Sequence, residues 1–345
     1  LQAIRFFHWS RLPEGLTQSR YPARPTQVIP FWSLHYLFML HDWYLYTGDV
    51  AAIRREIAGA ADVLDWFLDR RDAAGLIGAL RHWCVADWSP EWVRDFRGQV
   101  PGVKEGPTAL THFMVIAALE RVAELFRAID DPRADRLDAA ARDLRPRALQ
   151  AFWDEDAKLF RDSPHLPVAS QLTNAWALLI GLLDPPAAQA LADALATRND
   201  LCQAAFFGHY FLFEAWQELE RPDLVVAAFA PYRALSDQGL TTWPEAPDLG
   251  RSMCHAWSNA ATYHLLRTIL GFSIVAPGCE RMEVRPHVEG LDQARGGFVT
   301  PLGLVRVSFD RGADRPFRLE VPEGVCVAFR SAAGSRDLAA GDHHI

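Results

Sequence analysis

From residue 33 to residue 270 one helical pattern follows another across short turns, and at Gly271 that grammar stops. Beyond it the apolar residues come in short alternating runs at 274–275, 282–284, 298–299, 304–309, 317–321 and 325–329, separated by Pro and Gly. An apolar period near 3.6 buries one face of a helix, whereas a period of two buries one face of a strand. The chain therefore reads as mainly α: helical hairpins over 1–271, then a small antiparallel β-sandwich over 272–345. At 345 residues it is long enough for a large core or for two domains.

Residues 33–46 are apolar nearly all round, as expected of a buried helix. Thr47-Gly48-Asp49 ends that helix and offers a cap to the next, 50–71, where Ile53, Ile57, Ala60, Ala61, Leu64 and Phe67 keep helical spacing. Helices joined by so short a turn form an antiparallel hairpin. Further helices are expected at 107–129, 132–150, 170–183, 186–196, 203–219, 222–232 and 252–270. Four prolines between positions 13 and 30 bar a long helix there and predict an ordered loop. Asp154-Glu155-Asp156 reads as a solvated acidic turn, and His343-His344 as tail residues.

Several classes of function are disfavoured. The formal net charge is −8, without a basic stripe, which argues against a nucleic-acid partner. No apolar run reaches the ~18 residues of a membrane span. The five cysteines lie far apart with no Cys-x-x-Cys pair, arguing against a disulfide framework and a zinc cage and slightly favouring a cytoplasmic setting. There is no phosphate loop, nucleotide fingerprint or His-Glu-x-x-His pair, so no cofactor and no metal is implied. The twelve tryptophans instead suit flat surfaces on which sugar rings stack.

The chemistry gathers in loops. Residues 239–258 bring Trp243, Glu245, Arg251, His255 and Trp257 into a single stretch between helical patterns. Pro244 fixes its own φ and pushes Trp243 toward an extended backbone, while Gly239 is free to take a left-handed turn at the preceding helix end. A glutamate projected from such a loop between aromatic walls is a candidate general acid or base, because partial desolvation tunes its proton affinity. In the loop 80–92, Asp87 beside Trp88 suits a sugar, the carboxylate accepting hydroxyls while the indole stacks. An Asx-turn or helix cap at Asp87 is the competing reading. Arg20 and Tyr21 could line the same site or pack on a neighbouring helix. Trp32, at the mouth of the first long helix, is placed to face a ligand.

Repeated hairpins with polar, aromatic loops at one end suggest a six-hairpin (α/α) toroid. The segments Gly-Leu-Thr-Thr-Trp-Pro-Glu, Arg-Ser-x-Cys-His-Ala-Trp-Ser, Ala-Asp-Trp, Ser-Arg-Leu-Pro-x-Gly-Leu-Thr-Gln-Ser-Arg-Tyr-Pro and Ala-Pro-Gly leading to Val-Arg-Pro together resemble bacterial α-L-rhamnosidases of glycoside hydrolase family 78. The resemblance runs in order through essentially the whole chain. It implies an inverting glycosidase that releases terminal α-L-rhamnose, with a base on one side of the sugar and an acid on the other. It puts the base on Glu245, a sugar-binding histidine on His255, the Asp-Trp pair on Asp87 and Trp88, and an aromatic of the sugar pocket near Trp32. The family's general acid belongs to an Asp-Cys-Pro-type motif with no counterpart here. The chain, which starts in mid-pattern at Leu1 and shows fewer than twelve helices, is therefore expected to be a piece of a longer protein, with the toroid incomplete and the acid upstream. Open alternatives are another toroid glycosidase, a phosphorylase, which needs a cationic cluster beside Glu245, and a non-catalytic carbohydrate-binding remnant.

Overall fold

The computed structural model describes residues 1–332 and 334–345. The chain falls into two compact units: Leu1–His41, Val50–Glu220 and Leu240–Asn259 form one, and Asp42–Asp49, Arg221–Gly239 and Ala260–Ile345 the other. The change from helix to strand comes at 271–272, but by packing the second unit also takes in residues 42–49, 221–239 and 260–271.

The first unit is helical. Its helices are α1 (Gln2–Trp9), α2 (Pro30–Thr47, ending in the second unit), α3 (Val50–Glu56), α4 (Ala60–Leu68), α5 (Pro90–Phe96), α6 (Ala109–Ala128), α7 (Arg133–Phe152), α8 (Gln171–Leu179), α9 (Pro185–Thr197) and α10 (Phe206–Glu218). α6 is buried along nearly its whole length, while α7 is apolar on one side only. The two pack side by side across a four-residue turn closed by Arg133, which pairs with Asp131 at 2.7 Å and lies over the Phe126 ring. Between α7 and α8 a two-stranded hairpin, β1 (Trp153–Asp154) and β2 (Leu159–Phe160), carries the expected acidic turn. The buried Asn174 amide anchors it by accepting from Phe160 N at 2.8 Å and donating to Phe160 O at 3.0 Å, so both buried backbone groups are satisfied.

Two expectations need correction here, and one helix was not foreseen. The helix expected at 50–71 is broken by a 3-10 turn at Ile57–Gly59. The Glu56 carbonyl accepts from the Tyr36 hydroxyl at 2.8 Å, with His8 Nδ1 at 3.0 Å, and the Arg11 side chain packs against Gly59 in the space a Cβ would take. Residues 2–9 form a helix that none of the expected patterns covers, and part of the loop at 80–92 belongs to α5. Ser89 followed by Pro90 and Glu91 is a helix start, with proline at the first helical position where its missing N–H costs nothing.

The second unit contains α11 (Pro222–Ala227), α12 (Ala230–Asp237) and α13 (Ala260–His264), the last running into a π-helical turn at Leu265–Ile269. The single helix expected at 222–232 is therefore two, and the one expected at 252–270 begins only at Ala260. Eight strands follow: β3 (Phe272–Ile274), β4 (Arg281–Val284), β5 (Gln293–Thr300), β6 (Gly303–Asp310), β7 (Phe317–Val321), β8 (Cys326–Ser331), β9 (Gly334–Leu338) and β10 (Gly341–His344). They form two four-stranded sheets in the orders β10-β7-β6-β5 and β3-β4-β8-β9. One apolar cluster, including Phe272, Met282 and Val327 from one sheet and Val305, Val307 and Leu319 from the other, makes their common core. Alternation is clear in β7, where Leu319 and Val321 are buried and Glu320 points out to Arg306 at 2.9 Å.

The sheets are not wholly antiparallel. β4 and β8 pair in parallel, which the long connection through β5, β6 and β7 permits. Nor are His343 and His344 tail residues: they lie in β10, paired with Leu319 and Arg318. The ion pair of Asp342 with Arg318, 2.8 Å, shows why this edge strand escapes a search for apolar alternation.

Candidate active site

The loop after α12 folds back on itself. Gly239, with φ +85°, turns the chain out of the helix, a conformation that suits glycine. Residues 242–245 then run beside residues 252–255: Thr242 Oγ1 donates to Met253 O at 2.7 Å, His255 N to Trp243 O at 2.9 Å, and Glu245 N to Ser252 O at 2.7 Å. Trp257, in a 3-10 turn at Ala256–Ser258, donates its indole N–H to Glu245 O at 3.0 Å. The backbone that carries Glu245 is thus held on both sides, which limits the directions its side chain can take.

The carboxylate is only 11 % exposed. Its Oε1 accepts from Trp88 Nε1 at 3.0 Å and from Arg251 Nε at 2.8 Å. Its Oε2 has Ser252 N at 3.4 Å and His255 Nδ1 at 3.6 Å. Burial pushes the Glu245 carboxyl up, but the hydrogen bonds from Arg251 and Trp88, the Arg251 charge and the Ser252 N–H outweigh it and hold the group below the ordinary carboxylate value. It is therefore ionised at neutral pH. The Arg251 guanidinium, half exposed, lies 4.4 Å over the Trp88 ring and makes a cation–π contact there.

Around this group stands an aromatic wall. Trp88 meets Trp83 at 5.8 Å and Trp257 at 6.3 Å between ring centroids. Trp257 in turn meets His255 at 4.4 Å, Phe207 at 5.3 Å and Trp32 at 6.2 Å. Trp32 sits in the first turn of α2, Phe207 in the first turn of α10, and Trp88 two residues before α5. Three helix starts and the loop 240–259 therefore converge on one carboxylate. Behind Trp32, His35 stacks on Phe211; burial, reinforced by Arg121, lowers its pKa to about 3, so its ring is neutral and apolar in behaviour.

The other residues singled out in the sequence are distributed differently. Asp87 is buried. Its Oδ1 accepts from Trp88 N at 2.8 Å and its Oδ2 from Ala205 N at 2.6 Å, with Gly208 N also bonded to it. It caps the N-terminus of α10 from another part of the chain, as an anionic or protonated acceptor for the free N–H groups of that first turn. Arg20 and Tyr21 lie on the exposed loop after α1, Tyr21 edge-on to Phe6 at 6.3 Å, and no contact described joins either to Glu245. Trp243 is half-buried, and its carbonyl helps to hold the loop. Phe207 and Trp83 escaped the sequence reading. Trp83 shares the loop of Trp88, a usable signal, whereas Phe207 is separated from Glu245 by the rest of α10 and by α11 and α12, and looks like core. Among the described residues no group of three or more His, Cys, Asp or Glu is placed to hold a metal ion, and no helix is long and apolar enough to cross a membrane.

Comparison with known proteins gives this geometry a family. Among solved structures, the chain is similar to a family 78 rhamnosidase of Bacillus sp. GL1, with 24 % identity and a TM-score of 0.86 over 95 % of this chain and 36 % of that one. It is similar to the native α-L-rhamnosidase of Aspergillus terreus, with 17 % identity and a TM-score of 0.83 over 99 % and 42 %. The Streptomyces avermitilis α-L-rhamnosidase, solved with L-rhamnose, follows with 15 % identity and a TM-score of 0.78 over 98 % and 35 %. At these identities the likeness is one of fold, and this chain spans between 35 % and 42 % of the length of those proteins. No curated protein matches by sequence. The family model described as the bacterial alpha-L-rhamnosidase six-hairpin glycosidase domain matches residues 4–269, more than three quarters of the chain. The match takes in α2, α5, α10 and the Glu245 loop, and on it the chain belongs to the bacterial α-L-rhamnosidase six-hairpin glycosidase domain family.

Proposed function

We propose that the chain carries the base side of an inverting α-L-rhamnosidase, with Glu245 as the group that activates water. The observation behind this reading is the Glu245 carboxylate: loop-held, nearly buried, kept ionised by Arg251 and Trp88, and walled by Trp32, Trp88, Trp257 and Phe207. Rhamnose is a 6-deoxy sugar with hydroxyls on its ring and an apolar methyl group. Aromatic walls suit its C–H faces and methyl, and His255 beside the carboxylate suits a hydroxyl.

In the step proposed, water attacks the anomeric carbon on the face opposite the leaving group. Its proton passes to Glu245, the new C–O bond forms, the glycosidic C–O bond breaks, and the leaving oxygen takes a proton from a carboxylic acid on the other side of the sugar. Several acidic residues of the loops and helix starts are engaged in other bonds: Asp87 caps α10, Glu91 accepts from Ser89 Oγ and Gln203 N, Glu14 holds Trp66, Arg81 and His82, and Asp248 accepts from Gly250 N. We assign the proton donor to a carboxyl outside these 345 residues.

The test is hydrolysis of p-nitrophenyl α-L-rhamnoside by the full-length protein, with proton NMR to identify the first anomer released. The β-anomer should appear first, and Glu245→Gln should lower kcat by a factor of about 10²–10⁴, the usual worth of a positioned base. Undiminished activity in that variant, or initial release of the α-anomer, would exclude the assignment.

A further inference from the structure

We propose that Arg251 is a positioning residue that fixes which oxygen of Glu245 works: it clamps Oε1 and covers one face of Trp88, leaving Oε2 to take the proton. The inference rests on the base role given to Glu245 above and goes further, to the atom and to the residue that selects it.

Each oxygen of a carboxylate offers about two lone-pair sites. Both sites of Oε1 are filled by short bonds, 2.8 Å from Arg251 Nε and 3.0 Å from Trp88 Nε1. The two groups nearest Oε2, Ser252 N at 3.4 Å and His255 Nδ1 at 3.6 Å, stand beyond the range of a good N–H···O bond, roughly 2.7–3.2 Å. The carboxylate is therefore unsymmetrical. One oxygen is a structural acceptor and the other keeps lone pairs for a proton. The charged and titratable groups that face it are Arg251 and His255, and the remaining donors are the Trp88 indole and the Ser252 amide.

The same guanidinium lies over the Trp88 ring at 4.4 Å, so that face of the indole is not a platform for sugar. Stacking falls to the neighbouring rings, Trp257 with Trp32 and Phe207. Only arginine combines these functions. A lysine at 251 supplies the charge but neither the planar stack nor the fixed direction of Nε, and a methionine supplies the cover but no charge.

The experiment compares wild type, Arg251→Lys and Arg251→Met in the full chain labelled with ¹³C at the glutamate carboxyls, the Glu245 signal being identified by its loss in Glu245→Gln. The titration midpoint of Glu245 should rise in Arg251→Met and lie between the two in Arg251→Lys, while thermal unfolding stays close to wild type. In the full-length protein, Arg251→Met should lose about a hundredfold in kcat on the aryl rhamnoside, with KM little changed, as when a reacting group drifts by about 1 Å. An unmoved midpoint in Arg251→Met overturns the proposal, as does a lysine variant no better than the methionine variant. A raised midpoint in a protein that hydrolyses no rhamnoside upholds the positioning role and removes the rhamnosidase reading, so the two fail separately.

Discussion

Adding one methyl group at Gly208 should test how the wall of the site is attached to its frame. A Cβ at this position would stand 2.5 Å from Asp87 Oδ2, 3.0 Å from Ala204 Cβ and 3.2 Å from Asp87 Cγ. Such contacts force the carboxylate or the start of α10 to move, and the 2.6 Å bond from Ala205 N to Oδ2 is the first to lengthen. Overpacking of this kind costs about 1–3 kcal/mol. Loss of a buried hydrogen bond to a carboxylate adds roughly 1.5–3 kcal/mol. Alanine is better than glycine inside a helix by about 1 kcal/mol, which offsets part of this. The net expectation for Gly208→Ala is a loss of about 2–4 kcal/mol in urea unfolding with an unchanged m-value, and lower kcat/KM, because Phe207 rides on the same turn. The decisive measurement is a cycle with Asp87. In an Asp87→Ala background the carboxylate contacts are gone and only the 3.0 Å approach to Ala204 Cβ remains, so most of the Gly208→Ala penalty should disappear, whereas in Asp87→Asn, where the side chain keeps its size, the penalty should persist. If Gly208→Ala costs the same with and without the Asp87 side chain, the close approach of carboxylate to helix is not what requires glycine, and the cap argument fails.

Two further outcomes are expected. Asp162 is wholly buried, with Ser170 Oγ donating to it at 2.7 Å; burial pushes its carboxyl up to about 7, and bonds from Thr173 and Ser170 offset only part of this. Since the folded value lies above the unfolded one, this contribution to stability is complete below about pH 4 and is lost as pH rises to about 7, up to roughly 4 kcal/mol. Asp162→Asn, neutral at every pH, should match wild type near pH 4 and exceed it at pH 8 in chemical unfolding; a parallel pH dependence in the two proteins would contradict this. The 345-residue chain, if its proton donor lies elsewhere, should hydrolyse rhamnosides of acidic phenols far faster than methyl rhamnoside, and equal rates on both would show a donor within it.

The composition of the two loops around Glu245 was legible, but the direction of each side chain was not. Asp87 and Trp88 are neighbours in sequence, and nothing in the loop's composition says which of the two meets Glu245. The structure sends Trp88 to Glu245 and Asp87 to the start of α10, a choice made by a helix more than a hundred residues away. The same distance hid Phe207, whose place in the wall depends on where α10 begins and not on any local pattern. Long helices such as α6 and α7 were readable because their own spacing of apolar residues settles them, whereas the break at Ile57–Gly59 follows from Tyr36 and His8 capturing the Glu56 carbonyl. β10 was invisible because its residues pair charge with charge across the sheet instead of alternating apolar with polar. Local periodicity thus determined the frame, and contacts distant in sequence determined which side of the frame reacts. For this chain that makes Gly208 and Arg251, neither of which carries chemistry of its own, the positions where a small change should reach Glu245 most directly: one through the wall, the other through the carboxylate.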